Sequence, residues 1–101
     1  MNVFTLSEIA EITGGKLFKP PYIPDQKITT VLTDSRTFFN NNQALFFALK
    51  GPRNNGHDYI PEMLNKGVTA FVVSEEEQIS KKAAFILVDN TTTALQKLAT
   101  H

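Results

Sequence analysis

Three short apolar runs, Ala44-Leu45-Phe46-Phe47-Ala48-Leu49, Ala70-Phe71-Val72-Val73 and Phe85-Ile86-Leu87-Val88, carry no polar residue at alternate positions. A strand with one face in water alternates apolar and polar side chains, so a strand without alternation needs cover on both faces. Between the first two runs, Ile60, Met63 and Leu64 recur at helical spacing, with Asp58 as a suitable N-cap and Gly67 as a stop. Pro61 is compatible with that helix because first-turn amides have no intrahelical partner. Strands this short alternating with helices predict an α/β fold: a small, largely parallel or mixed sheet with helices on both faces.

The flanking segments fit that plan. Thr5-Leu6-Ser7-Glu8 has the form of a capping box, Leu6, Ile9 and Ala10 continue at helical spacing, and Gly14-Gly15 ends the helix. Lys16-Leu17-Phe18 is a short strand, and Pro20, Pro21 and Pro24 make a stiff connector. Residues 28–33 are β-branched and mostly apolar, hence a strand, and Asn40-Asn41-Asn42 is a turn. Glu75-Glu76-Glu77 reads as a solvated helix start, and Asp89 or Thr91 as the cap of a last helix whose inner face is Ala94, Leu95, Leu98 and Ala99. That helix runs to Thr100-His101 with no glycine or proline stop, as in a domain cut from a longer polypeptide.

Composition removes several function classes. A chain of 101 residues is one small domain with a single core. Its net charge of zero argues against a nucleic-acid or membrane-surface module. Without cysteine there is no disulfide framework, thiolate chemistry or Cys-based zinc site. No apolar run approaches the ~20 residues of a membrane span and no signal pattern opens the chain, so a cytoplasmic location is the simplest expectation.

Charge is nonetheless unevenly placed. Between Ser35 and Gly56 stand Arg36, Lys50 and Arg53 and not one carboxylate. Asp34-Ser35-Arg36 and Lys50-Gly51 both follow strands, and ligand sites in parallel sheets lie at the carboxyl ends of strands. Gly51 and Gly56 allow close backbone approach and the cations supply field, a pattern suited to an anionic small ligand. The alternative is a solvated loop that happens to lack carboxylates. Phe46 and Tyr59 read as core rather than stacking platforms, and His57 as a residue of the helix start.

Catalytic signatures are missing. The sequence holds neither Gly-x-x-x-x-Gly-Lys-Ser/Thr nor Gly-x-Gly-x-x-Gly. Two histidines, one of them terminal, cannot form a multi-histidine metal site, and Ser35 has no evident activating base. From its residues alone, the chain is a binding domain.

One resemblance is specific. Thr33-Asp34-Ser35-Arg36, the 44–51 run, Asn55-Gly56-His57-Asp58-Tyr59-Ile60 and Gly67-Val68-Thr69-Ala70-Phe71-Val72-Val73, in that order, resemble the N-terminal domain of the Mur ligases, the ATP-dependent amide ligases of peptidoglycan synthesis. The likeness runs from about residue 28 to the end, where Val88-Asp89-Asn90-Thr91, Leu95 and Leu98 are similar to the family's last helix before its central ATPase domain. Ala48-Leu49-Lys50-Gly51 and Gly56-His57-Asp58-Tyr59-Ile60 are most similar to members that add D-alanyl-D-alanine to a UDP-N-acetylmuramoyl-tripeptide. Residues 53–57 are worded as in members fused to an alanine racemase.

The resemblance implies that this domain binds UDP and is inactive alone. It gives no catalytic or metal residue here and no cofactor in the fragment: ATP and Mg2+ belong to the central domain, and pyridoxal phosphate to a racemase if one is fused. Asp34, Ser35, Arg36, Lys50, Gly51, Arg53, Asn54, Asn55, Gly56 and His57 become the UDP-binding set. The resemblance makes Ser35 and Arg36 contacts to the uridine diphosphate end, and residues 51–56 a lip that closes over uracil, ribose or phosphate. The implied partners are the UDP-N-acetylmuramoyl peptide and the remaining ligase domains in cis. The sequence departs from many relatives at Asn55, where they carry Asp, and at Asn42-Gln43-Ala44, where they carry a Gly-Asp turn. A non-catalytic α/β module binding a protein or another anion is the alternative.

Overall fold

A computed structural model describes residues 3–34 and 43–101. Thr5 caps α1 (Leu6–Thr13) with the expected reciprocal box: its hydroxyl accepts from the Glu8 amide and the Glu8 carboxylate accepts from the Thr5 amide. Gly14, at φ 72°, ends the helix in the left-handed region that glycine enters without a Cβ clash. The chain continues through β2 (Lys16–Phe18), β3 (Lys27–Ile28) and β4 (Thr30–Leu32). The strand expected over 28–33 is therefore two pieces. β3 pairs antiparallel with β1 (Phe4–Thr5), and β4 joins the main sheet, where the Thr29 amide donates to the Gln43 carbonyl between them.

The main sheet has the order β2-β7-β6-β5-β4, with β5 (Ala44–Phe47), β6 (Ala70–Val73) and β7 (Ala84–Leu87) as its fully apolar centre. β4, β5, β6 and β7 run parallel; β2 is antiparallel on the β7 edge, so the sheet is mixed. The uninterrupted apolar strands are covered twice, as their pattern predicts. Leu45, Phe47, Ala70, Val72, Ala84 and Ile86 face α1 and α3 (Thr91–Thr100). Ala44, Phe46, Phe71, Val73 and Phe85 face α2 (Ile60–Asn65), which contributes Ile60 and Met63. On the α2 side, Phe71 stacks on Phe85 at 5.4 Å and meets Phe46 edge-on at 6.0 Å. Each such phenylalanine contributes roughly 1.5–3 kcal/mol by leaving water.

Two caps differ from expectation. α3 is capped by Asn90, whose Oδ1 accepts from the Thr93 amide, and not by Asp89 or Thr91. An N-cap oxygen serves amides two or three residues ahead, and here the extended residue with that reach is Asn90. Thr91 instead is buried and donates its hydroxyl to the Ala48 carbonyl at 2.9 Å, tying α3 to the end of β5. Before α2, a 3-10 turn (Gly56–Tyr59) intervenes, and its cap is Asn55 rather than Asp58. Gly67, at φ 96°, closes the α2 segment as expected. The turn expected at residues 40–42 lies outside the described residues.

Candidate functional site

Because four strands run parallel, their carboxyl ends share one edge of the molecule: Thr33 and Asp34 after β4, residues 48–51 after β5, Ser74 and Glu75 after β6. A cleft of about 650 Å³ opens on this edge, lined by Thr33, Asp34, Leu49, Gly51, Pro52, Arg53, Asn54, Gly56 and Tyr59. Its volume is that of a small-molecule site. Of the ten residues singled out from sequence, Asp34, Gly51, Arg53, Asn54 and Gly56 line the cleft. Ser35 and Arg36 lie outside the described residues. Lys50, Asn55 and His57 are not among the lining residues and join a polar network of their own.

The lip is a tight loop. Lys50 and Asn55 form an isolated antiparallel bridge, the Gly51 amide donates to the Asn54 carbonyl at 2.7 Å, and the Gly56 amide donates to the Leu49 carbonyl at 2.7 Å. At Gly56 glycine is required for space: a Cβ would meet the Leu49 nitrogen at 2.6 Å, its carbonyl oxygen at 2.8 Å and the Ala48 carbonyl carbon at 3.0 Å. Gly51 is different. A Cβ there meets only the Asn54 oxygen, at an ordinary 3.6 Å, so close backbone approach is a property of Gly56 and not of Gly51.

Behind the loop lies the feature that local sequence concealed. Residues 35–56 contain no carboxylate, yet the fold brings Glu75 to them from the end of β6. Glu75 Oε2 accepts from Asn55 Nδ2 at 2.8 Å and lies 2.9 Å from Lys50 Nζ; Oε1 accepts from Gln78 Nε2 at 3.0 Å. These hydrogen bonds, from Lys50 first and then Asn55 and Gln78, hold the Glu75 carboxyl down at about 2, well below the usual carboxylate range. Glu75 is thus no solvated helix residue; the exposed pair Glu76 and Glu77 opens the short 3-10 turn after it. Its position directly after an apolar parallel strand was the one available signal.

His57 completes the network and is 1% exposed. The Ser74 amide donates to its Nε2 at 3.0 Å, so Nδ1 carries the hydrogen and donates to Asn55 Oδ1 at 2.6 Å. The same Asn55 oxygen accepts from the His57 amide at 3.0 Å. Burial lowers the His57 pKa; Glu75 opposes that shift and Lys50 adds to it. A neutral imidazole with both nitrogens engaged and no exposed face is a structural joint rather than a general base. Phe46 is core, as expected, whereas Tyr59 is half-buried and also forms part of the cleft wall.

The site can hold an anion and order a polar ligand; among the described residues it shows no nucleophile paired with a base. Lys50 is committed to Glu75, while Arg53 is exposed and has no ion-pair partner among the described residues. Among those residues no group of three or more His, Cys, Asp or Glu side chains could hold a metal ion. No helix among them is long and apolar enough to cross a membrane.

Comparison with known proteins supplies the family. Residues 27–101 match the model for the Mur ligase family, catalytic domain. The chain is 38% identical over 96 residues, 94% of its length, to the UDP-N-acetylmuramoyl-tripeptide–D-alanyl-D-alanine ligase of Bacillus subtilis, and covers 20% of that protein. Over 100 residues, 98% of its length, it is 31% identical to the UDP-N-acetylmuramoyl-L-alanyl-D-glutamate–2,6-diaminopimelate ligase of Bacteroides fragilis, covering 19% of it. The crystal structure of MurF from Acinetobacter baumannii superimposes with a TM-score of 0.81 at 28% identity, over 97% of this chain and 20% of that one. The chain therefore spans about a fifth of the length of such relatives. With the order of its motifs, its mixed sheet and its matched residues in agreement, the chain belongs to the Mur ligase family.

Proposed function

We propose that this chain is the part of a longer, ATP-dependent ligase that holds the UDP end of UDP-N-acetylmuramoyl-tripeptide while D-alanyl-D-alanine is added elsewhere in the protein. One observation carries the assignment: the carboxyl-edge cleft is walled by Gly51, Arg53, Asn54 and Gly56, with an arginine whose charge is not spent within the described residues. A guanidinium presents a planar fork matched to phosphate oxygens, and Tyr59 and Leu49 offer apolar wall for a base or sugar. The B. subtilis and A. baumannii relatives named above favour the D-alanyl-D-alanine-adding branch over the diaminopimelate-adding one.

In this reading residues 1–101 precede an ATPase domain, and the remaining domains act in cis. Holding the nucleotide end converts delivery of the acyl end into an intramolecular problem of position. ATP and Mg2+ belong, in this reading, to the central domain, and no step of the phosphoryl chemistry is assigned to the described residues. Pyridoxal phosphate belongs to a racemase domain where one is fused. In this reading the reaction takes place in the cytoplasm.

The test is a titration of the 15N-labelled chain with UDP and with UDP-N-acetylmuramoyl-tripeptide. Amide shifts at residues 33–34, 49–51 and 53–56 are expected to move with both ligands, while those of Leu95 and Leu98, which line a separate pocket with Phe4, Ile9 and Ile28, stay in place. If neither ligand moves the cleft residues, the assignment is wrong.

A further inference from the structure

The cleft wall is only as well placed as the loop that carries it. Residues 50–56 have two anchors: the backbone bonds to Leu49 and Asn54, and the side-chain chain that runs Lys50–Glu75–Asn55–His57–Ser74. The second anchor connects the loop after β5 to the end of β6, the next strand of the sheet. Every polar atom that these side chains bury has a partner. Glu75 stands at the centre, since its carboxylate alone receives both ends of the Lys50–Asn55 bridge.

We propose that Glu75 is a positioning residue for the nucleotide cleft: by clamping Lys50 and Asn55 from the neighbouring strand, it sets the loop that presents Arg53, Asn54 and Gly56 to the ligand. The proposal rests on the nucleotide-binding assignment above and adds a residue that touches no ligand. It also assigns Lys50 a role distinct from direct phosphate contact: its ammonium neutralises Glu75, so that a carboxylate beside the cleft does not repel an anion. His57 is the joint, because its Nε2 fastens to the β6 end while its Nδ1–H orients the Asn55 amide that reaches Glu75.

The experiment compares Glu75→Ala, Glu75→Gln and a control, Glu77→Ala, in this chain, by UDP affinity, amide hydrogen exchange and thermal midpoint. Glu75→Ala is expected to weaken UDP binding about tenfold and to speed exchange at the Gly51 and Gly56 amides. Exchange in β6 and β7 should remain unchanged. Glu75→Gln retains an oxygen for Asn55 and is expected to recover most of both losses, while Glu77→Ala changes neither. A merely structural Glu75 would lower the thermal midpoint and leave UDP affinity intact, and that result overturns the proposal. So does faster loop exchange with unaltered affinity. Failure of the unsubstituted chain to bind UDP refutes the functional assignment instead, and loop exchange then still decides whether Glu75 clamps the loop.

Discussion

Replacing Gly56 with alanine is the sharpest test of how the lip is built. The new Cβ would sit 2.6 Å from the Leu49 nitrogen, 2.8 Å from its carbonyl oxygen and 3.0 Å from the Ala48 carbonyl carbon. All three are backbone atoms at the end of a buried central strand, so none can swing aside as a side-chain tip would. Overpacking of this kind costs about 1–3 kcal/mol. Separating the chains also lengthens the 2.7 Å bond from the Gly56 amide to the Leu49 carbonyl, adding about 1 kcal/mol. A loss of roughly 2–4 kcal/mol follows, a large share of the ~5–15 kcal/mol available to a small domain. Urea denaturation should show it as a midpoint lowered by on the order of 1–3 M. Gly51→Ala is the internal comparison. Its φ is outside the left-handed region and its Cβ has ordinary room, so stability should hold or rise by up to ~1 kcal/mol through the stiffer unfolded chain. Equal midpoints for Gly56→Ala and the parent, or a greater loss at Gly51, would refute the account of the loop.

Two further outcomes are expected. Arg53→Ala should weaken UDP binding by about 1.5–3 kcal/mol, as for loss of a charge-assisted hydrogen bond, with Arg53→Lys recovering only part; equal calorimetric affinities in all three proteins would remove Arg53 from the site. The His57 imidazole should titrate below 6.5 by NMR, since burial disfavours its charged form. The stability it contributes is complete above pH 6.5, where both folded and unfolded states are neutral, and is lost as pH falls through the lowered folded value. Protonation puts a hydrogen on Nε2 against the Ser74 N–H, so the Ser74 amide shift should follow the same midpoint; a midpoint at or above 6.5 contradicts the network.

The elements that could be read from sequence were those specified by neighbours in the chain. The α1 capping box needs only Thr5 and Glu8, three residues apart, and it forms as written. The β5, β6 and β7 strands announced burial on both faces because nothing polar interrupts them, and α1, α2 and α3 provide that cover. The break between β3 and β4 was not legible: residues 28–33 are uniformly suited to a strand, and only two competing partners, β1 and β5, divide them. Choosing Asn90 over Asp89 or Thr91 likewise depended on where β7 delivers the chain, since all three residue types make good caps.

At the site the division is similar. A carboxylate-free basic loop after an apolar strand, and its place at the carboxyl edge, follow from residues adjacent in sequence, as does the family likeness carried by the motif order. What the sequence alone could not supply was which cation remains available. Lys50 and Arg53 look alike three residues apart in the chain, but parallel pairing of β5 with β6 sets Glu75 2.9 Å from Lys50 and leaves Arg53 on the cleft wall. Periodicity and caps are short-range properties of a chain, whereas pairing a charge depends on a contact across 25 residues, made only when the strands come together as a sheet.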